Sequence, residues 1–257
     1  MKKLLVVSAC ILIVAVSCKK HKSGEGQEHI NGAVKQVVES VNGITYKIFT
    51  DKNSISFRGI LVVGSGNDEN NPSEGSVDGA SETALCEKAA SNGYAAAIVK
   101  YRKTPGTADW NTSARMIGED YDKCIVAIAG KYNIDKSKSV VGGFSYSSYL
   151  LLTNIAYNNN LNYCKGLLAA CGATDIDKIS KFKIPVLSLS GKDEFEGYVD
   201  QANPQNSNYA GVSLYNKIAA NSPIKAKSEG FSDPNSLGHC NGNWTDKMFL
   251  KTAAWLQ

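Results

Sequence analysis

Ser139-Val140-Val141-Gly142-Gly143-Phe144-Ser145-Tyr146-Ser147-Ser148-Tyr149 is the stretch on which the reading of this chain turns. Residues 139–144 form a short apolar run thinned by two glycines, the pattern of a strand buried on both faces. From residue 147 to 157 the apolar spacing becomes helical. Strand passes to helix within two or three residues, and a serine stands at the junction. Small residues at 143 and 147 serve a physical purpose there. So sharp a turn holds its central residue in strained backbone geometry, and bulky neighbours two positions away would collide with adjacent elements. The competing interpretation is a serine-rich helix N-cap, with Ser145 or Ser147 satisfying orphan N–H groups.

Working outward, strands and helices alternate. Residues 34–38 and 44–49 are β-rich runs around Asn42-Gly43, a strong hairpin signal. Ile60-Leu61-Val62-Val63 is a buried-strand run ending in Gly64-Ser65-Gly66. Residues 82–92 read as a helix with Gly93 past its end, 94–101 as a strand and 112–132 as a long helix. Beyond the central stretch, 165–170 and 185–190 read as strands, 209–220 as a helix, 224–228 as a last strand and 245–256 as a closing helix. Such alternation implies right-handed crossovers and a mostly parallel sheet. In open sheets of this kind ligands bind beyond the carboxyl ends of the strands.

Gly143-Phe144-Ser145-Tyr146-Ser147 matches the G-x-S-x-G pattern, with Ser147 in place of the last glycine. From about residue 55 to the C-terminus the chain resembles the α/β-hydrolase superfamily. More narrowly, it resembles bacterial esterases of dienelactone-hydrolase-like and cutinase-like type. The resemblance implies an α/β-hydrolase fold: a mostly parallel central sheet with helices on both faces, and here an N-terminal antiparallel hairpin. It makes Ser145 the nucleophile. Of three histidines, His21 and His29 lie in or beside a polar N-terminal tether, leaving His239 in Leu237-Gly238-His239-Cys240-Asn241-Gly242. That loop, between the last strand and the last helix, is where the superfamily carries its catalytic base. A serine at neutral pH needs an adjacent base, and imidazole titrates in the right range.

Ser188-Leu189-Ser190-Gly191-Lys192-Asp193-Glu194 resembles the family's acid turn, so Asp193 is expected to orient His239, with Glu194 as its rival. The oxyanion donors implied are the N–H of Tyr146 and one from the loop after Val63, Ser65 first and Gly66 second. Gly64-Ser65-Gly66 is similar to the family's His-Gly-x-Gly pattern with Val63 where histidine is common. It lacks the Gly-Lys-Ser/Thr of a phosphate loop. Tyr101-Arg102 is similar to a pair in many family esterases; Arg102 reads as structural, with Asp120 or Asp122 as its partner. Trp110 and Phe195 are candidates to line the substrate pocket, with core packing the alternative for each.

The N-terminus reads differently. Lys2-Lys3 and the apolar run over 4–16 form a secretory signal, too short to cross a bilayer core of about 30 Å. It ends in Ala15-Val16-Ser17-Cys18, which resembles a bacterial lipoprotein signal with Cys18 as the lipidated residue. Residues 1–17 are therefore expected to be a signal peptide, 18–29 a flexible tether and 30–257 the hydrolase domain. The expected location is the cell envelope, lipid-anchored to a membrane through Cys18. A net charge of +4, with no basic stripe interleaved with aromatics, argues against a nucleic-acid partner. Beyond Cys10 and Cys18 an odd set remains: Cys86, Cys124, Cys164, Cys171 and Cys240. Their spacing fits no zinc ribbon or finger. Cys86 and Cys124 read as small buried hydrophobes, and a Cys171–Cys240 bond is open in an oxidising compartment.

Together these residues imply a serine ester hydrolase that forms an acyl-enzyme and requires no metal or organic cofactor. Its expected partners are small or polysaccharide-linked esters. Two alternatives stand beside it: acyl transfer on the same triad, or an inactive lipid-anchored binding protein on a hydrolase fold.

Overall fold

The computed structural model describes residues 29–192, 197–208 and 212–257. The expected signal, most of the tether and Cys18 lie outside the described residues, as do Asp193, Glu194 and Phe195.

Strands β1 (His29–Asn31), β2 (Val34–Val41) and β3 (Ile44–Asp51) open the sheet as an antiparallel meander. Asn42 (φ 53°) and Gly43 (φ 78°) close the β2–β3 hairpin with two left-handed residues, the turn whose twist matches that of the strands. Five further strands then run parallel with interposed helices: β4 (Ile60–Gly64), β5 (Ala95–Lys100), β6 (Ser139–Phe144), β7 (Leu167–Ala170) and β9 (Val186–Gly191). A sixth parallel strand, β11 (Glu229–Asp233), closes the sheet beside β9. The order across the described sheet is β1-β2-β3-β5-β4-β6-β7-β9-β11, with β3 antiparallel to β5. A separate parallel pair joins β8 (Ala173–Asp175) to β10 (Gly197–Val199).

Alternation along β4 splits the core. Ile60 and Val62 pack with α2 (Trp110–Tyr132) and α3 (Tyr146–Tyr157), while Leu61 and Val63 face α1 (Ala80–Ser91) and α6 (Thr245–Trp255). With both faces covered, a strand gains nothing from polar alternation, which is why β4 reads as a continuous apolar run. Helix α2 starts on Asp109, whose side chain accepts the Thr112 N–H at 3.0 Å, and stops at left-handed Asn133. Two short helices, α4 (Ile176–Ile179) and α5 (Ser213–Lys217), flank the carboxyl edge.

Two expectations need correction. The last strand is not 224–228: residues Lys225–Lys227 form a 3-10 turn, and the strand follows it. Ser228 explains the shift, because its N–H returns to Ile224 O at 2.9 Å while its Oγ accepts the Val186 N–H at 3.0 Å. The expected helix over 209–220 is, among the described residues, only α5. It ends because Ile218 leaves helical geometry (ψ 120°) to bury itself in the core.

Candidate active site

Ser145 sits between β6 and α3 at φ 51°, ψ −120°, a conformation that non-glycine residues avoid. The surroundings enforce it. Its N–H donates to Ala170 O on β7 at 2.9 Å, and its carbonyl accepts the Tyr149 N–H at 3.1 Å. A Cβ on Gly143 would lie 2.6 Å from Ser148 N and 2.7 Å from Ser147 C, so only glycine admits the helix this close.

Ser147, the departure from the pattern, is fully buried and engaged. Its Oγ accepts the Phe144 N–H at 2.9 Å and lies 2.7 Å from Gly64 O, to which it donates. The hydroxyl therefore joins the serine turn to the end of β4, a link that a glycine could not make. Gly64 in turn has no room for a side chain, since a Cβ would lie 2.3 Å from Tyr121 Oη. Tyr121 itself donates to Gly142 O at 2.7 Å.

His239 lies on the exposed loop after β11, and its Nε2 is 2.7 Å from Ser145 Oγ. The sequence separates the pair by 94 residues; the fold brings them into hydrogen-bond contact. The next residue, Cys240, is disulfide-bonded to Cys171, which follows β7 at φ 49°. Their Cα atoms are 5.6 Å apart. This bond ties the His239 loop to the strand beside the serine turn. Cys86, Cys124 and Cys164 are free thiols in the core. Among the described residues, Cys171, His239 and Cys240 form the one group with metal-ligand proximity, and both of its sulfurs are consumed in the bond.

Asp193 lies outside the described residues. The chain leading to it ends beside the His239 loop: β9 stops at Gly191 opposite Asp233, and the Lys192 N–H donates to Ser236 O at 3.0 Å. Of the other sequence candidates, Tyr146 is buried at the first position of α3, Ser65 is buried and Gly66 exposed. A Cβ on Gly66 would lie 3.2 Å from Ser145 Cβ, so that backbone flanks the serine. Neither Gly66 N–H nor Tyr146 N–H has a hydrogen-bond partner among the described residues.

Trp110 packs edge-on against Tyr146 and Tyr149 and donates its indole N–H to Thr153 Oγ1 at 3.1 Å. It also lines an open groove of about 1010 Å³ with Tyr149, Tyr157, Asp175, Lys178 and Gln201. Trp110 is thus packed against the core and also lines this groove, whose lining includes neither Ser145 nor His239. Arg102 pairs with Asp120, Nε to Oδ1 at 3.0 Å, and with Glu119 at 2.6 Å. Asp122 instead accepts the Tyr163 hydroxyl at 2.6 Å. Sequence reasoning passed over Tyr101 as a site residue, although its hydroxyl reaches the Ser65 carbonyl at 2.9 Å; its position after a buried strand and before Arg102 was the available signal.

No family model matches this chain, and no curated protein does. Solved structures do. Acetyl xylan esterase 1 from Thermoanaerobacterium sp. superposes with a TM-score of 0.58 at 13% identity, covering 92% of this chain and 88% of that one. A Klebsiella pneumoniae protein assigned as a dienelactone hydrolase gives 0.57 at 15%, covering 87% and 97%. The fold is that of the α/β-hydrolases. Brefeldin A esterase, a bacterial homologue of human hormone-sensitive lipase, gives 0.53 at 13%, covering 88% and 74%. At these identities the likeness concerns the fold, and the α/β-hydrolase frame is what puts the serine turn and the His239 loop at the same edge of the sheet.

Proposed function

We propose that this chain is a serine ester hydrolase acting through Ser145, His239 and Asp193. The observation that carries the reading is the strained Ser145 with its Oγ 2.7 Å from His239 Nε2. In the proposed cycle His239 takes the hydroxyl proton as Oγ attacks the ester carbonyl. It then returns that proton to the leaving alcohol, and an acyl-enzyme remains. Water activated by the same imidazole attacks the acyl carbon, and the acid leaves with Oγ reprotonated. Asp193 would hold the imidazole tautomer from the far side. Backbone N–H groups at 146 and in the loop after β4 would receive the oxyanion.

The substrate class follows from weaker supports. The groove beside α3, whose lining includes neither Ser145 nor His239, mixes aromatic rings with Asp175, Lys178 and Gln201, a lining suited to the remote part of a polysaccharide carrying acetyl or feruloyl esters. Likeness to an acetyl xylan esterase points the same way. Polyesters are the alternative within the same chemistry. The proposed setting is the cell envelope, with the mature chain held through a lipid on Cys18.

Hydrolysis of p-nitrophenyl acetate by the purified chain tests the reading. Wild type is expected to turn over, with Ser145→Ala and His239→Ala each reducing kcat by about 10⁴-fold. Folded wild type without esterase activity over an ester panel would end it.

A further inference from the structure

The oxyanion loop contains a contact that the proposed cycle does not use. Tyr101, at the carboxyl end of β5, is wholly buried, and its hydroxyl donates to the Ser65 carbonyl at 2.9 Å. Asn67 Nδ2 reaches the same hydroxyl at 3.4 Å. Gly75 lies flat on the ring, where a Cβ would fall 2.6 Å from Cδ1, and its N–H donates to Tyr101 O at 2.8 Å. Burial pushes the phenol up to about 12, so the group stays a donor across the neutral range. The far side of the loop is held as well: Ser65 Oγ accepts the Ser76 N–H at 2.9 Å.

Peptide geometry converts this contact into a direction. In a trans peptide the carbonyl of one residue and the N–H of the next point oppositely. With the Ser65 carbonyl fixed on Tyr101, the Gly66 N–H must point away from Tyr101. The Gly66 backbone flanks Ser145, with no partner for its N–H among the described residues. The preceding peptide is fixed the other way. The Gly64 carbonyl accepts from Ser147 Oγ at 2.7 Å, which turns the Ser65 N–H away from the serine helix. Ser65 is 5% exposed, whereas Gly66 opens to the site.

We propose that Tyr101 is a positioning residue that turns the Ser65–Gly66 peptide so that the N–H of Gly66, rather than that of Ser65, is the second oxyanion donor. The inference rests on the ester-hydrolase reading. Without Tyr101 the peptide is free to flip, and a flipped peptide presents a carbonyl where the tetrahedral intermediate carries negative charge. A donor aimed at the developing charge acts on the transition state more than on bound ester. The expected defect therefore falls on kcat.

Tyr101→Phe removes only the hydroxyl. With p-nitrophenyl acetate, kcat is expected to drop about 10- to 100-fold with KM changed less than twofold. Inhibition by phenylboronic acid, which forms a tetrahedral adduct on the serine, should weaken by the same factor. The pH profile of the residual activity should keep its wild-type shape, since His239 is untouched. Rates are normalised to the folded fraction measured by circular dichroism. If Tyr101→Phe does not fold, Asn67→Ala carries the test, with an expected three- to tenfold loss in kcat. An unchanged kcat, or a loss confined to KM, overturns the proposal while leaving the hydrolase reading intact. Inactive wild type overturns both, and is recognised because Ser145→Ala then changes nothing.

Discussion

The nucleophile and the base of this site are held in opposite ways. Ser145 stands at the end of a strand buried on both faces. Its turn is clamped by β6, β7 and the end of β4, with Gly143 and Gly64 shaped to their neighbours and Ser147 bonded on both sides. His239 stands on an exposed loop after an edge strand, where packing supplies little, and a covalent bond from Cys240 to Cys171 does the holding. The serine side is specified by close packing and by hydrogen bonds that tie it to β4, β6 and β7, so it tolerates no change of volume. The histidine side is specified by a cross-link, so it should respond to redox conditions.

That contrast can be broken at both ends. Its largest expected effect is on the histidine side. Reduction by dithiothreitol, or Cys240→Ser, opens a closure spanning 69 residues and should cost about 3–4 kcal/mol of stability. The reduced protein should also lose kcat while keeping its Ser145 turn. Urea denaturation with and without reductant reads the first effect, and esterase assays read the second. Equal stability in both states would mean that the loop is held by packing after all. On the serine side, Gly143→Ala forces a Cβ to within 2.6 Å of backbone and should cost about 2–3 kcal/mol. Activity should fall with it, and reductant should not deepen that loss. The smallest effect is Ser147→Ala, about 1 kcal/mol, because it removes a buried hydroxyl that bonds both Phe144 and Gly64. A Ser147→Ala enzyme as stable as wild type would make the hydroxyl a mere filler for the missing glycine.

The same contrast explains what could be read in advance. Buried parallel strands announce themselves as apolar runs, so β4, β5, β6 and β9 were legible, and Asn42-Gly43 marked its hairpin outright. Strand β11 was not. Glu229-Gly230-Phe231-Ser232-Asp233 has one large apolar residue and forms by pairing with β9, whereas the neighbouring Ile224 to Ser228 alternates like a strand and coils into a turn. The β8–β10 pair is too short to carry any periodicity. In the site, Ser145 and His239 were legible as residue types in the expected chain order, and the structure places them in contact. Hidden were the groups that act through geometry alone: which peptide of Ser65 and Gly66 faces the serine, what Ser147 bonds, and that Tyr101 reaches across 36 residues to Ser65. A sequence lists donors and acceptors; only folding decides which way a peptide plane turns.

The central claim is that Ser145, activated by His239, is a nucleophile. Treatment with a fluorophosphonate, followed by proteolysis and mass spectrometry, tests it most directly. The expected result is one adduct, on the peptide containing Ser145, absent in Ser145→Ala and formed far more slowly in His239→Ala. Failure of the folded wild-type chain to take the label, or an adduct that survives Ser145→Ala, would contradict it.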